Sequence, residues 1–379
     1  MSKVLFVIDT LEVGGAEKSI LEIASRFKKY TPVVCHLYTG DELRQQYEAA
    51  GIEVISINVS GHYQFAQAAS RLEQVIRRVQ PAIIHSTLFR SDMVCRRLRR
   101  KNNIPLINSL VNNSYHKSRF EKASVIFQMK LHAIRLWDAI TARKVDLFLS
   151  NSEAIRQSNA KALSIPLNKI KVIYRGRAAE QFAQRNNERI ESLRAEWKIG
   201  SRMVLLNVSR LLERKGQLDL LRAFRRVQVN YPQTVLLIAG EGPFREMLEQ
   251  EIKKMDLGEN VHLLGTRDDV PDLLALATAF VFPSHYEGLP GALIEAMLAR
   301  TPLVVSDIPE NLECVQSGMA QIYPVGDLVE LEKCIAAVLG NPQGAVQFAE
   351  AAHRVALKKF DIQEVAHQHE TVYDELTAP

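Results

Sequence analysis

The sequence predicts an α/β protein made of two doubly wound parallel-sheet domains in tandem, facing a cleft. Three observations predict it. The chain has 379 residues, 47% hydrophobic and 24% charged, which suits about two globular domains with cores of their own. Short runs of Val, Ile and Leu recur without polar alternation, as in strands covered on both faces. Helix-like amphipathic segments separate them, and such alternation implies parallel sheets with right-handed crossovers.

The elements follow in order. "KVLFVID" is the first buried strand, because its apolar stretch is too short for a signal peptide and passes straight into "LEVGGAEKS". "PVVCHLY", "IEVISIN", "AIIHST", "PLINSLV" and "LFLSNS" complete the first half. The joint lies near "KIKVIYRGR", a strand followed by the polar run "AAEQFAQRNNERIESLRAEW". "MVLLNVS", "TVLLIAG", "VHLLG", "AFVFPS" and "PLVVSD" repeat the scheme, and "DIQEVAHQHETVYDEL" reads as a final helix. The expected domains are 1–178 and 179–360, with a C-terminal helix in 361–379 packing back toward the first.

Composition excludes several classes. Cys35, Cys95, Cys314 and Cys334 are scattered without C-x-x-C spacing, so neither a zinc site nor a disulfide framework is indicated and a reducing cytoplasm is the default. No apolar run approaches the roughly 18 to 20 residues of a membrane span. The net charge of +5 hides an asymmetry: residues 1–180 hold 28 Lys+Arg and 15 Asp+Glu, leaving 20 and 28 for the rest, balances of +13 and −8. Different partners for the two halves follow. Nucleic acid is not among them, since no aromatic-basic RNA motif accompanies the basic half.

The strand-end loops carry the candidate chemistry. Gly14 and Gly15 permit close backbone approach, and the helix behind them would offer amides to an anion; a tight turn is the alternative. The loop lacks both the Walker A ending and the G-x-G-x-x-G spacing of a dinucleotide site. Arg210 at a strand end and Lys215 before Gly216 could converge on a diphosphate, whose departing charge needs neutralising. Gly240, Glu241 and Gly242 mark another strand end. Asp268-Asp269 before Val270-Pro271 reads as a helix start rather than a metal site. In "HYEGLPGALIEAMLARTPLVVSD", Glu287 falls in a strand-end loop and Glu295 on the first turns of the next helix, where ligands of parallel sheets bind.

Arg210-x4-Lys215-Gly216, Gly240-Glu241-Gly242, Val270-Pro271 and Pro283-Ser284-x2-Glu287-Gly288-x6-Glu295-Ala296 together resemble the retaining nucleotide-sugar glycosyltransferases of family four. Gly14-Gly15-Ala16-Glu17 resembles the glycine loop of that family's first domain. The resemblance covers nearly the whole chain and implies the GT-B fold of two Rossmann-like domains. It implies that Glu295 binds the ribose hydroxyls of a nucleotide sugar, since a carboxylate accepts from both. Glu287 would contact the donor sugar, while Gly288, Leu289, Pro290 and Gly291 line the sugar and phosphate site. Arg210 and Lys215 would hold the diphosphate as it leaves, making them with Glu287 the catalytic set. The backbone at Thr266 and Arg267 would meet the base, and neither a cofactor nor an obligatory metal is implied.

Two positions depart from the family pattern. Many relatives have a histidine after "PLINSLV", where this chain has Asn112 with His116 a few residues on. Arg175-Gly176-Arg177 replaces a commoner Asn-Gly-Val. Asn112, His116 and His85 are the acceptor-side candidates, with a satisfied structural histidine as the other reading of His85. The implied activity is retaining transfer from a nucleotide-diphosphate sugar, with UDP-sugar favoured, to a glycan or lipid-linked acceptor. The alternatives are a GDP-mannose-dependent mannosyltransferase and a sugar-nucleotide epimerase of the same fold. Residues 90–145 hold 13 Lys+Arg, among them Arg96, Arg97, Arg99, Arg100 and Lys101, against Asp92, Glu121 and Asp138. With Phe120, Ile126, Phe127, Leu131, Ile134 and Trp137 they suggest a peripheral enzyme docked on an anionic inner membrane face; the alternative is that these apolar residues face the core.

Overall fold

The computed structural model describes residues 1–61, 64–99, 103–115, 124–183 and 186–378. They form two compact units, Met1–Gly176 with Ile362–Pro379, and Arg177–Asp361.

The first unit is a seven-stranded parallel sheet of β1 (Ser2–Ile8), β2 (Tyr30–His36), β3 (Glu53–Ser56), β4 (Ile83–Thr87), β5 (Leu106–Leu110), β6 (Leu147–Ser150) and β7 (Ile170–Val172), in the order β3-β2-β1-β4-β5-β6-β7. Its central strand shows why apolar runs without alternation become strands. Leu5 and Val7 enter the core on one face, and Val4, Phe6 and Ile8 enter the core on the other. The period of two is intact, but both faces are dry.

The second unit repeats the plan with β8 (Met203–Val208), β9 (Thr234–Ala239), β10 (Val261–Gly265), β11 (Ala279–Phe282), β12 (Leu303–Ser306) and β13 (Gln321–Tyr323), in the order β10-β9-β8-β11-β12-β13. All six residues of β9 are buried, whereas the edge strand β13 is half-covered. Three residues with a polar start carry no strand signal, so β13 has no counterpart among the expected strands. In each sheet the order reverses once, between β1 and β4 and between β8 and β11. Crossovers leave those strands in opposite directions and open a crevice at their carboxyl ends.

Helix Ile362–Thr377 returns to the first unit. Glu370 Oε1 accepts hydrogen bonds from the amides of Lys28, Lys29 and Tyr30 at 2.7, 2.6 and 3.2 Å. Tyr373 is buried edge-on against Phe27 and Tyr30. One carboxylate thus satisfies three consecutive amides leading into β2, of which the buried Tyr30 amide would cost about 1–3 kcal/mol if left unpaired.

Candidate functional site

The switch point of the second sheet gathers the loops after β8 and β11. Gly216, at φ +70°, lets them touch: a Cβ there would lie 2.1 Å from Pro283 O. His285 N then donates to Arg214 O at 2.8 Å. This contact sets Lys215 Nζ 2.5 Å from Glu287 Oε1, with Arg214 Nη1 3.6 Å from Oε2. Burial pushes the Glu287 carboxyl up, but Lys215 and Arg214 outweigh it and hold it below its ordinary value. Arg214 also donates to Tyr286 O and lies over the Tyr286 ring. It is therefore part of a packed ionic cluster, not the solvated basic loop that a lone arginine suggests.

Arg210, in the same loop after β8, is exposed, with no ion-pair partner among the described residues. Gly240, at φ +140°, passes the β8 loop so closely that a Cβ would sit 2.0 Å from Ser209 O. Glu241 is held by Arg245 Nη1 at 2.5 Å. Gly288, Leu289 and Pro290 lead into helix Gly291–Leu298, which carries Glu295 on its second turn. Glu295 Oε1 accepts from Arg177 Nε at 2.7 Å, and both side chains are largely buried.

Residues 13–181 match the model of Glycosyltransferase Family 4, and residues 189–355 match Glycosyl transferases group 1. Over these two stretches the chain is similar to these glycosyltransferases. An uncharacterized glycosyltransferase of Methanocaldococcus jannaschii is 35% identical over 173 residues, 45% of this chain and 41% of its own. A glycogen synthase of Mycobacterium tuberculosis is 32% identical over 250 residues, 64% of this chain and 57% of its own. The chain spans about half the length of these curated relatives. HepE of Anabaena, solved with UDP and glucose, superposes with a TM-score of 0.88 at 22% identity, over 99% of this chain and 100% of that one. The fold of the chain is GT-B.

The base-side residues hold a different arrangement from the one their spacing suggests. Asp269 occupies the cap position of helix Val270–Leu276 but caps no amide with its side chain. Instead it takes Arg267 through Nε and Nη2 at 2.8 and 2.6 Å, and Arg189 at 2.6 Å. Two guanidinium groups within reach outcompete a neutral amide for a carboxylate. Thr266 beside them is exposed.

In the first unit, Gly14 and Gly15 open helix Gly15–Ala24 after β1. The helix start is already crowded by an acid of its own: a Cβ on Gly14 would lie 2.2 Å from Glu17 Oε2. Burial raises the Glu17 carboxyl, and the amides of Glu17 and Ala16 partly offset this. His85 is buried, with Nδ1 2.8 Å from Tyr373 Oη and Nε2 2.7 Å from Ser109 Oγ. It still lines a small cavity of about 60 Å³, with Ser19, Asn151 and Arg175. Asn112 is exposed, whereas His116 lies outside the described residues.

The basic stretch needs one correction. Arg96 is 1% exposed and cannot reach a surface. Its guanidinium bonds Asp138 Oδ1 at 2.5 Å and Asn108 Oδ1 at 2.7 Å, because position 96 falls on the inner face of helix Phe89–Leu98. Arg99 is half-buried against Asp146 at 3.0 Å, and Arg100, Lys101 and Phe120 lie outside the described residues. Arg97, Lys130 and Arg143 are exposed. Of the apolar residues on helix Val125–Ala142, Leu131 and Ala142 are buried, while Ile126, Phe127, Met129, Ile134, Leu136, Trp137 and Ile140 are exposed.

Two site residues had no clear signal in the sequence. Glu310 is buried near Glu287, and burial followed by the Glu287 charge raises its carboxyl to about 7. Arg177, a basic residue where the resembled family has Val, was visible as a departure, but its partner was not.

Proposed function

We propose that the protein transfers a sugar from a nucleotide-diphosphate donor to a glycan or lipid-linked acceptor, with retention of anomeric configuration. The observation that carries this reading is the Lys215–Glu287–Arg214 cluster with exposed Arg210 at the second unit's switch point. Lys215 has three donors, so it can hold Glu287 and a phosphate oxygen together. With Arg210 it would neutralise the leaving diphosphate, and the burial of Lys215 would strengthen its share of that interaction. Glu287, kept ionised by its neighbours, would accept from hydroxyls of the donor sugar. Glu295 would accept from the ribose.

The UDP bound to HepE and the family pattern favour a UDP-sugar donor, with GDP-mannose as the other candidate. The exposed apolar side chains of helix Val125–Ala142 beside Lys130 and Arg143 support docking on an anionic membrane face, where a lipid-linked acceptor for cell-surface polysaccharide or glycolipid would be presented. No described helix is long and apolar enough to cross a membrane.

A panel of UDP-, GDP- and ADP-sugars, read by nucleoside diphosphate release with and without lipid-linked and free glycan acceptors, tests the reading. Acceptor-stimulated release from one UDP-sugar is expected. No release from any donor, or an epimerised donor without transfer, would overturn it.

A further inference from the structure

We propose that Arg177 is a positioning residue for Glu295, holding one carboxylate oxygen so that the other is presented to the ribose hydroxyls; this rests on the donor reading above. The contact is Arg177 Nε to Glu295 Oε1 at 2.7 Å, with side-chain exposures of 8% and 19%. Both ends are anchored. Arg177 N donates to Phe360 O at 2.9 Å, and residue 177 bridges Asp361. Glu295 rides on helix Gly291–Leu298, whose Leu293, Ile294, Ala296, Met297 and Leu298 are buried. The ion pair therefore joins two fixed points of backbone.

A free glutamate samples several rotamers, and a ligand that uses one of them loses affinity to ordering it. Here a guanidinium selects the rotamer before any nucleotide arrives. Each carboxylate oxygen accepts more than one hydrogen bond, so the pairing leaves Oε2 and a remaining lone pair of Oε1 for a vicinal diol. The valine that the resembled family more often carries at this position has no donor. The constraint is a property of this chain.

The experiment uses the full-length protein and isothermal titration with uridine, guanosine and adenosine diphosphates, each beside its 2′,3′-dideoxy form. The ratio of the two dissociation constants for the best-bound base reads ribose recognition separately from phosphate and base. Arg177→Val and Arg177→Lys should each lower that ratio, Val by roughly tenfold and Lys by less, while thermal unfolding establishes that each variant is folded. Glu295→Gln should lower it as well, and adding Arg177→Val to Glu295→Gln should lower it no further. A wild-type ratio near one would overturn the ribose reading of Glu295, and this inference with it. A ratio that falls in Glu295→Gln but persists in both folded Arg177 variants would overturn the positioning role alone.

Discussion

Lys215 donates to Glu287 across 2.5 Å, and the two side chains are only 12% and 7% exposed. Residues 72 apart in the chain thus share one charge-neutral contact, made possible by Gly216 beneath it.

Breaking that contact should damage both stability and rate. Lys215→Met leaves a buried carboxylate short of its main partner, which typically costs about 3–5 kcal/mol. Glu287→Gln should lower turnover more than donor affinity. Chemical unfolding and steady-state kinetics on the same samples separate the two effects. Wild-type turnover in Glu287→Gln would remove Glu287 from the sugar site.

Arg210 makes the contrasting case, because it is exposed and holds nothing in place. Arg210→Ala should leave the unfolding midpoint unchanged while slowing transfer by about a hundredfold or more. Activity should survive chelation of divalent metals, since cationic side chains supply the neutralising charge. A complete loss on chelation that metal restores would sink the cation-only account.

Gly216→Ala should mimic loss of the cluster without touching a charged group. Its methyl would meet Pro283 O at 2.1 Å with φ at +70°, so the loop after β8 must lift away from that after β11. Donor affinity and turnover are both expected to fall. A crystal structure of the variant with an undisturbed Lys215–Glu287 contact, or wild-type kinetics, would contradict this.

Acid should loosen the C-terminal helix. Burial holds His85 well below 6.5, helped by His369, and pushes His369 down to about 4. Both stay neutral in the fold, so as pH drops below about 6.5 the unfolded chain takes up protons that the folded chain refuses. Stability is intact above that value and declines toward pH 4, by about 3 kcal/mol for His369 alone. Urea midpoints between pH 7 and 4 read this directly, and a His369→Gln variant that still folds should show a flatter decline. Equal slopes would assign the acid sensitivity elsewhere.

The proposed membrane docking divides the basic residues. Replacing Arg97, Lys130 and Arg143 by Ser should weaken liposome co-sedimentation, each contributing about 1 kcal/mol near an anionic leaflet, and added salt should weaken it further. Arg96→Met should instead lower the melting temperature, because it strands Asp138 in the interior. Equal sedimentation with neutral and anionic vesicles would argue against the electrostatic part of the surface.

The sequence by itself determined what depends on local pattern. Unbroken apolar runs such as "TVLLIA" specified buried parallel strands, because a strand dry on both faces has no polar positions to alternate. The spacing from Glu287 to Glu295 placed one acid in a loop and the other on a helix. Tertiary structure decided the partners. Lys215 and Arg214 meet Glu287, Arg177 meets Glu295, and Asp269 abandons its helix cap for two arginines, because charge pairing acts through space between residues that chain spacing does not relate. It also decided burial at Arg96: a basic run looks like a solvated face, yet a helix turns every residue by a fixed angle and packing against its neighbours selects which base lies inside.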